Sequence, residues 1–210
     1  MIGLCGGHRT GKTSLAKAYA EKHGIAFVET SVSAIFRDLG YDPADTFDFK
    51  TRLDIQHEVL VRVDSIYGEL NPMDTAITDR TPLDMLAYTM AEAIGKTVRA
   101  QDQKRFEEYT RRCFEVTNRR FGTVILVQPG IPLVKTRGKA ALNVAYIEHL
   151  NSLILGLSVD ERLKAAHFYL PRRVVDLDER VGAVGAAVGR ATSVAKSQMD
   201  NHLLQGGCLQ

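Results

Sequence analysis

At 210 residues, 45% hydrophobic and 25% charged, the chain is the size of one domain that buries its own core without disulfides or a structural metal. Its formal net charge of +2 excludes the strongly basic balance of a dedicated nucleic-acid binder and suits a small-molecule site. Cys5, Cys113 and Cys208 are widely spaced with no CxxC, so neither a disulfide framework nor a zinc site is expected, and the absence of a charged leader or membrane-length apolar run predicts a soluble, cytoplasmic protein without membrane contact.

Short apolar runs alternate with longer stretches of helical periodicity. "MIGLC" (1–5) reads as a buried strand that runs into Gly6-x-x-x-x-Gly11-Lys12-Thr13 and then into a helix with Leu15, Ala18 and Tyr19 on its apolar side. Glycines let the backbone approach a ligand closely. The segment Gly6, Gly7, His8, Arg9, Thr10, Gly11, Lys12, Thr13 and Ser14 can therefore turn its N–H groups onto phosphate oxygens at the start of a helix. In such a loop Lys12 is expected to reach the β and γ phosphates of a nucleoside triphosphate, and the Thr13 hydroxyl to hold magnesium.

"IAFV" (25–28) is the second strand, followed by "ETS". A carboxylate at that strand end, Glu29, would face the γ phosphate, where it can take a proton from an attacking hydroxyl or hold a metal-bound water. Thr30 or Ser31 suits a helix cap. A long helix over Phe49 to Tyr67 carries Gln56, whose amide is expected on the surface because glutamine is mostly exposed. "TAIT" (75–78), the third strand, leads into "DRTPLDMLAY". There Asp79 would sit beside Thr13, Arg80 offers a planar fork for phosphate, and Thr81 with Pro82 reads as a helix cap and first helical position.

Phe106, Tyr109, Cys113 and Val116 mark the next helix, and "TVILV" (123–127) the fourth strand. Beyond it, Arg137 and Lys139 flank Gly138 in a polar stretch that reads as a mobile basic lid over residues 136–143, closing on the phosphates and expelling water. Ile147, Leu150, Ile154 and Leu157 mark another helix, "HFYL" (167–170) the fifth strand, and Leu177, Val181, Val184 and Val188 the last helix, with a loose tail expected over 193–210. Five buried strands alternating with helices predict an α/β fold, a five-stranded parallel sheet with helices on both faces and its ligand beyond the carboxyl ends of the strands.

In content and order these segments resemble the P-loop nucleoside and nucleotide kinases. The Asp79-Arg80 pair followed by "PLDMLAY" is similar to AAA-type kinases related to nicotinamide-riboside kinase. The "RGK…Y" stretch is similar to deoxynucleoside kinases, although those usually carry Glu where Asp79 stands. The resemblance implies a single P-loop kinase domain over 1–210, ATP and Mg2+ as cofactors, and transfer of the γ-phosphoryl group to a nucleoside or (deoxy)nucleoside monophosphate. It implies Glu29 as base or substrate-hydroxyl ligand, Gln56 near the acceptor base, Thr13 and Asp79 at the magnesium, and Arg80, Arg137 and Lys139 on phosphates. Arg172 in "LPRRVVDLDERV" would stack on the donor adenine. The oligomeric state is left open, a homodimer included.

Other classes fit less well. A GTPase would need Asn-Lys-x-Asp after a strand, and Asn71-Pro-Met-Asp74 has proline for lysine and precedes its strand. A remodelling ATPase, acting without a small acceptor, usually carries an acidic pair where this chain has Asp79-Arg80. The resemblance also covers viral kinases that act on a base or terminus within DNA or RNA. Val98 to Phe121 interleaves seven basic residues with Phe106, Tyr109 and Phe114, as a strand-binding face would, but its acids favour a solvated helix with the aromatics in the core.

Overall fold

The computed structural model describes residues 1–42, 45–71, 74–93, 98–133 and 143–206. Each apolar run becomes a strand: β1 (Ile2–Cys5), β2 (Ala26–Val28), β3 (Ala76–Thr78), β4 (Thr123–Val127) and β5 (Ala166–Leu170). They lie in the order β2-β3-β1-β4-β5, every pairing parallel. Ile2 sits between Ile77 and Thr123, and Val28 lies opposite Thr78. The sheet ends of β1, β2 and β3 are thereby brought together.

Period-two alternation along the strands divides the core in two. Ile2, Leu4, Ile77, Ile125 and Val127 pack with Leu15, Ala16 and Tyr19 of α1 (Lys12–His23) and with Val181, Val184 and Ala187 of α7 (Leu177–Gly206). Cys5, Ala76, Val124 and Leu126 turn the other way. They meet α2 (Val32–Asp38), α3 (Phe49–Gly68), α4 (Pro82–Glu92), α5 (Ala100–Arg120) and α6 (Val144–Ser158). Helices thus cover both faces, as an all-parallel sheet requires.

The expectation of five buried strands needs correction at the edges. β1, β3 and β4 are buried throughout, whereas β2 and β5 are each fully buried only at their last residue, Val28 and Leu170. Each has a neighbour on one side only, so water reaches residues that periodicity alone assigns to the interior.

Local chemistry explains the helix boundaries. Gly24 (φ 63°) ends α1 in the left-handed conformation that glycine adopts freely. The Asp48 side chain accepts from Thr51 N–H at 2.9 Å to start α3. Thr81 and Asp84 form a reciprocal capping box at α4, with Pro82 at its first position. In α5, Tyr109 and Phe114 are buried while Arg105 pairs with Asp54, Arg111 with Glu115, and Arg119 and Arg120 with Asp64. With Arg99 on Asp102, five of the seven basic residues offered to a nucleic-acid strand are thus bound to carboxylates. α7 continues to Gly206, across most of the segment expected as a tail. Among the described residues, no helix is long and apolar enough to cross a membrane.

Candidate functional site

β1 ends at Cys5 and α1 begins at Lys12, so residues 6–11 form the turn between them. Gly6 (φ 148°) and Gly11 (φ 78°) carry the conformations that side chains resist. A Cβ on Gly6 would lie 2.5 Å from the Val127 carbonyl oxygen of β4. At the start of α1, the N–H groups of Lys12, Thr13 and Ser14 have no carbonyl ahead of them in the helix. They border a cavity of about 570 Å³ lined by residues 8–14, with Ser33, Asp79, Arg80 and the segment 131–133 opposite.

Lys12 is 6% exposed, and its Nζ donates to the carbonyls of Gly6 and Gly7 at 2.7 Å each. Burial lowers its pKa to about 8, against the opposing pull of Asp84. The Thr13 hydroxyl donates to Asp79 Oδ2. Val28 and Thr78 are register partners, so Glu29 and Asp79 each follow a paired strand end; Asp79 lines the cavity, whereas Glu29 is exposed and outside that lining. The Arg80 guanidinium lies 5.8 Å from the centre of the Tyr88 ring, and its carbonyl accepts from Tyr67 Oη at 2.8 Å.

Beneath the loop lies a carboxylate that the sequence reading did not single out. Asp84 is 0% exposed; its Oδ1 accepts from Gly6 N–H at 2.8 Å, and its Oδ2 accepts from Thr81 N–H at 2.8 Å and from the Thr81 hydroxyl at 3.0 Å. Burial pushes its pKa upward while Lys12 and Arg80 pull it down. Three donors aimed at its two oxygens favour the charged form against that burial. The Thr81-x-x-Asp84 spacing was the available signal for the cap; nothing local signalled the bond to Gly6, 78 positions away.

On the side facing α4 and α6, His8 Nδ1 is 3.2 Å from Tyr88 Oη, and the rings of His8, Tyr88 and Tyr146 cluster with centroids 5.8–6.4 Å apart. Gln56 overturns its expected surface position: it is 4% exposed, with Oε1 lacking a hydrogen-bond partner. It faces inward because α3 packs against α4 along that side, where Leu53, Leu60 and Val63 are also buried. One turn earlier, Arg52 lies 4.8 Å from the Phe47 ring centre and 5.7 Å from that of Phe36.

Arg172 departs from its expected role. Its guanidinium is exposed and forms a two-pronged pair with Glu148 at 2.5 and 2.6 Å, outside the cavity lining. A different arginine reaches the loop: Arg180, 3% exposed, donates from Nη2 to the Thr10 carbonyl at 2.7 Å. The expected lid, with Arg137 and Lys139, lies outside the described residues except for Asn143.

The donor set fits magnesium. Among the described residues, no three His, Cys, Asp or Glu side chains gather into a metal-binding group. Magnesium in phosphate sites instead needs one or two protein oxygens together with phosphate and water, and the Thr13 hydroxyl and Asp79 carboxylate stand together beside the cavity.

A sequence model described as AAA domain matches residues 1–124. No curated protein matches the sequence. Among solved structures the chain is similar to deoxyadenosine kinase from M. mycoides with products dCMP and dCDP (TM-score 0.63, 17% identity, 90% of this chain and 98% of that one). It is also similar to NadR in complex with NR (TM-score 0.62, 14% identity, 91% of this chain and 50% of that one). Thymidylate kinase from Candida albicans aligns with a TM-score of 0.54 and 11% identity, covering 91% of each chain. With the family match spanning more than half of its length, the chain belongs to the AAA domain family and has the fold of the P-loop nucleoside and nucleotide kinases.

Proposed function

We propose that the protein is an ATP- and magnesium-dependent kinase that transfers the γ-phosphoryl group to a nucleoside or nucleoside monophosphate. The observation that carries this reading is the cavity bordered at once by the glycine loop, the buried Lys12, the hydrogen-bonded Thr13-Asp79 pair and Arg80. Solved structures of the same fold hold dATP, AMP-PNP, dCMP and dCDP, which supports a nucleotide in this cavity. The chain is proposed to form one domain over 1–210, with residues 136–143 as its lid.

Phosphoryl transfer rests on positioning and charge. When bound, magnesium would neutralise charge on the β and γ phosphates. The N–H groups at the start of α1 hold phosphate oxygens, and Lys12 leaves the carbonyls of Gly6 and Gly7 to meet the γ phosphate. Thr13 and Asp79 would hold the metal. Arg80 contributes a planar pair of donors to the transferring group, joined by Arg137 and Lys139 from the lid. Glu29, just beyond β2, orients the acceptor hydroxyl and takes its proton. Gln56, with an unpaired buried oxygen, offers an acceptor to an amino group of the base.

The test is magnesium-dependent ADP formation from ATP against ribo- and deoxynucleosides, their monophosphates, nicotinamide riboside, and single- and double-stranded DNA. Stimulation by one small acceptor, with a product of matching mass, is the expected result. Stimulation by DNA alone would replace the small acceptor with a polymer, and steady release without any acceptor would make the protein an ATPase.

A further inference from the structure

Arg180 stands in the first turn of α7, 170 positions beyond the loop residue it touches. It is 3% exposed, a depth at which arginine is normally found with a carboxylate. No ion pair to Arg180 occurs among the described residues. The first-turn acids of α7, Asp178 and Glu179, are exposed, and Asp176 Oδ1 is committed to the N–H groups of both, at 2.9 and 3.0 Å. Burial lowers the pKa of the guanidinium, and its Nε has no hydrogen-bond partner. Among the described residues, a buried cation thus sits beside the loop with no carboxylate to balance it.

Its acceptor among the described residues is informative. The Thr10 carbonyl belongs to the same peptide unit as the Gly11 N–H, and in a trans peptide the two point in opposite directions. A guanidinium on the carbonyl side therefore fixes the plane of that unit, turns the N–H away from itself, and polarises it through a charge-assisted bond. Gly11 keeps this contact open, since a Cβ there would lie 2.7 Å from Arg180 Nη1 and 3.0 Å from Ile131 Cδ1, and Gly11 and Ile131 both line the cavity.

We infer that Arg180 is a positioning residue for the donor's phosphate chain: it aims the Gly11 N–H at a phosphate oxygen, and the polyphosphate supplies the negative charge that the guanidinium lacks. The inference rests on the loop being a polyphosphate cradle. Because the countercharge comes from the ligand, affinity grows with the number of phosphates more steeply in the wild type than in a variant without this cation. The adenosine portion gains nothing from Arg180.

The experiment compares wild type, Arg180→Met and Arg180→Lys by calorimetric titration with ATP, ADP, adenosine and inorganic tripolyphosphate, and by thermal unfolding with and without tripolyphosphate. Arg180→Met is expected to weaken ATP and tripolyphosphate binding about 10- to 100-fold, raise the KM for ATP more than it changes kcat, and leave adenosine binding unchanged. Its melting temperature without ligand should hold, while the rise produced by tripolyphosphate collapses. A purely structural arginine would give the reverse, a lower melting temperature with an undiminished ligand-induced rise. Arg180→Lys, which keeps the charge without the planar fork, should fall between the two, and it carries the comparison if the Met variant does not fold. Unchanged tripolyphosphate affinity in a folded variant overturns the inference. Failure of the wild type itself to bind tripolyphosphate or ATP overturns the cradle beneath it instead.

Discussion

Replacing Asp84 by Asn keeps size and shape but exchanges one acceptor oxygen and the capacity for negative charge for an NH2 donor. The carboxylate serves the Gly6 N–H with one oxygen and the Thr81 cap with the other. An amide can satisfy one side; on the other its NH2 opposes an N–H that has no route to water, because Asp84 is 0% exposed. A lost charge-assisted bond costs about 1.5–3 kcal/mol and a stranded buried donor about 1–3 kcal/mol. Relief of carboxylate burial offsets part of that sum, leaving a net loss of about 3 kcal/mol. In a chain of this length each kcal/mol moves the melting temperature by about 2–4 °C, so a fall of roughly 6–12 °C is expected by circular dichroism. With Gly6 unanchored the loop shifts relative to α4, and kcat/KM for ATP should fall by about two orders of magnitude in the ADP-formation assay. A melting temperature within roughly 2 °C of wild type, together with unchanged kcat/KM, would refute the claim that Asp84 ties the loop to α4.

Asp79→Asn should raise the magnesium concentration for half-maximal activity with little change in melting temperature, and an unchanged magnesium titration removes Asp79 from the metal's surroundings. Lys12 titrates near 8 in the folded protein against an ordinary value of 10.5; the unfolded chain binds the extra proton between those values, so the stability of the unliganded protein rises with pH across that window. Phosphate demands the charged form, so nucleotide binding should take up a proton and weaken about tenfold per pH unit above pH 8. Titration calorimetry at pH 8.5 in buffers of different ionisation enthalpy reads this directly, and a buffer-independent heat would rule it out. Gln56→Leu exchanges a buried unpaired amide for an apolar side chain, so the melting temperature should hold or rise while the acceptor KM increases roughly tenfold; an unchanged KM would place Gln56 away from the acceptor.

What could be read from the sequence was whatever local chemistry writes into neighbouring positions. Five apolar runs gave five strands, and Thr81-Pro82 gave the start of α4. The Thr13-Asp79 contact followed from Thr13 standing at the start of α1, behind the glycine loop, and Asp79 just beyond the end of β3. Contacts chosen by the fold alone left no such trace. Neither Asp84 nor Arg180 stood out, because Gly6 lies 78 positions from the one and the Thr10 carbonyl 170 positions from the other. Arg172 had the sequence position for a nucleotide contact, but Glu148 on α6 claims it. Gln56 was assigned by the habits of its residue type, whereas the direction of packing between α3 and α4 decided its burial.

The bond between Arg180 and Thr10 also bears on the order in which this molecule is made. During synthesis the glycine loop leaves the ribosome long before α7 exists, and β1 must wait for β3 and β4 to flank it. The segment most diagnostic of the protein is therefore among the last to become competent. A nascent chain arrested before Arg180 would hold the whole phosphate-binding motif in its sequence and lack the contact that orients its Thr10-Gly11 peptide, so nucleotide capture should strengthen when the final helix emerges.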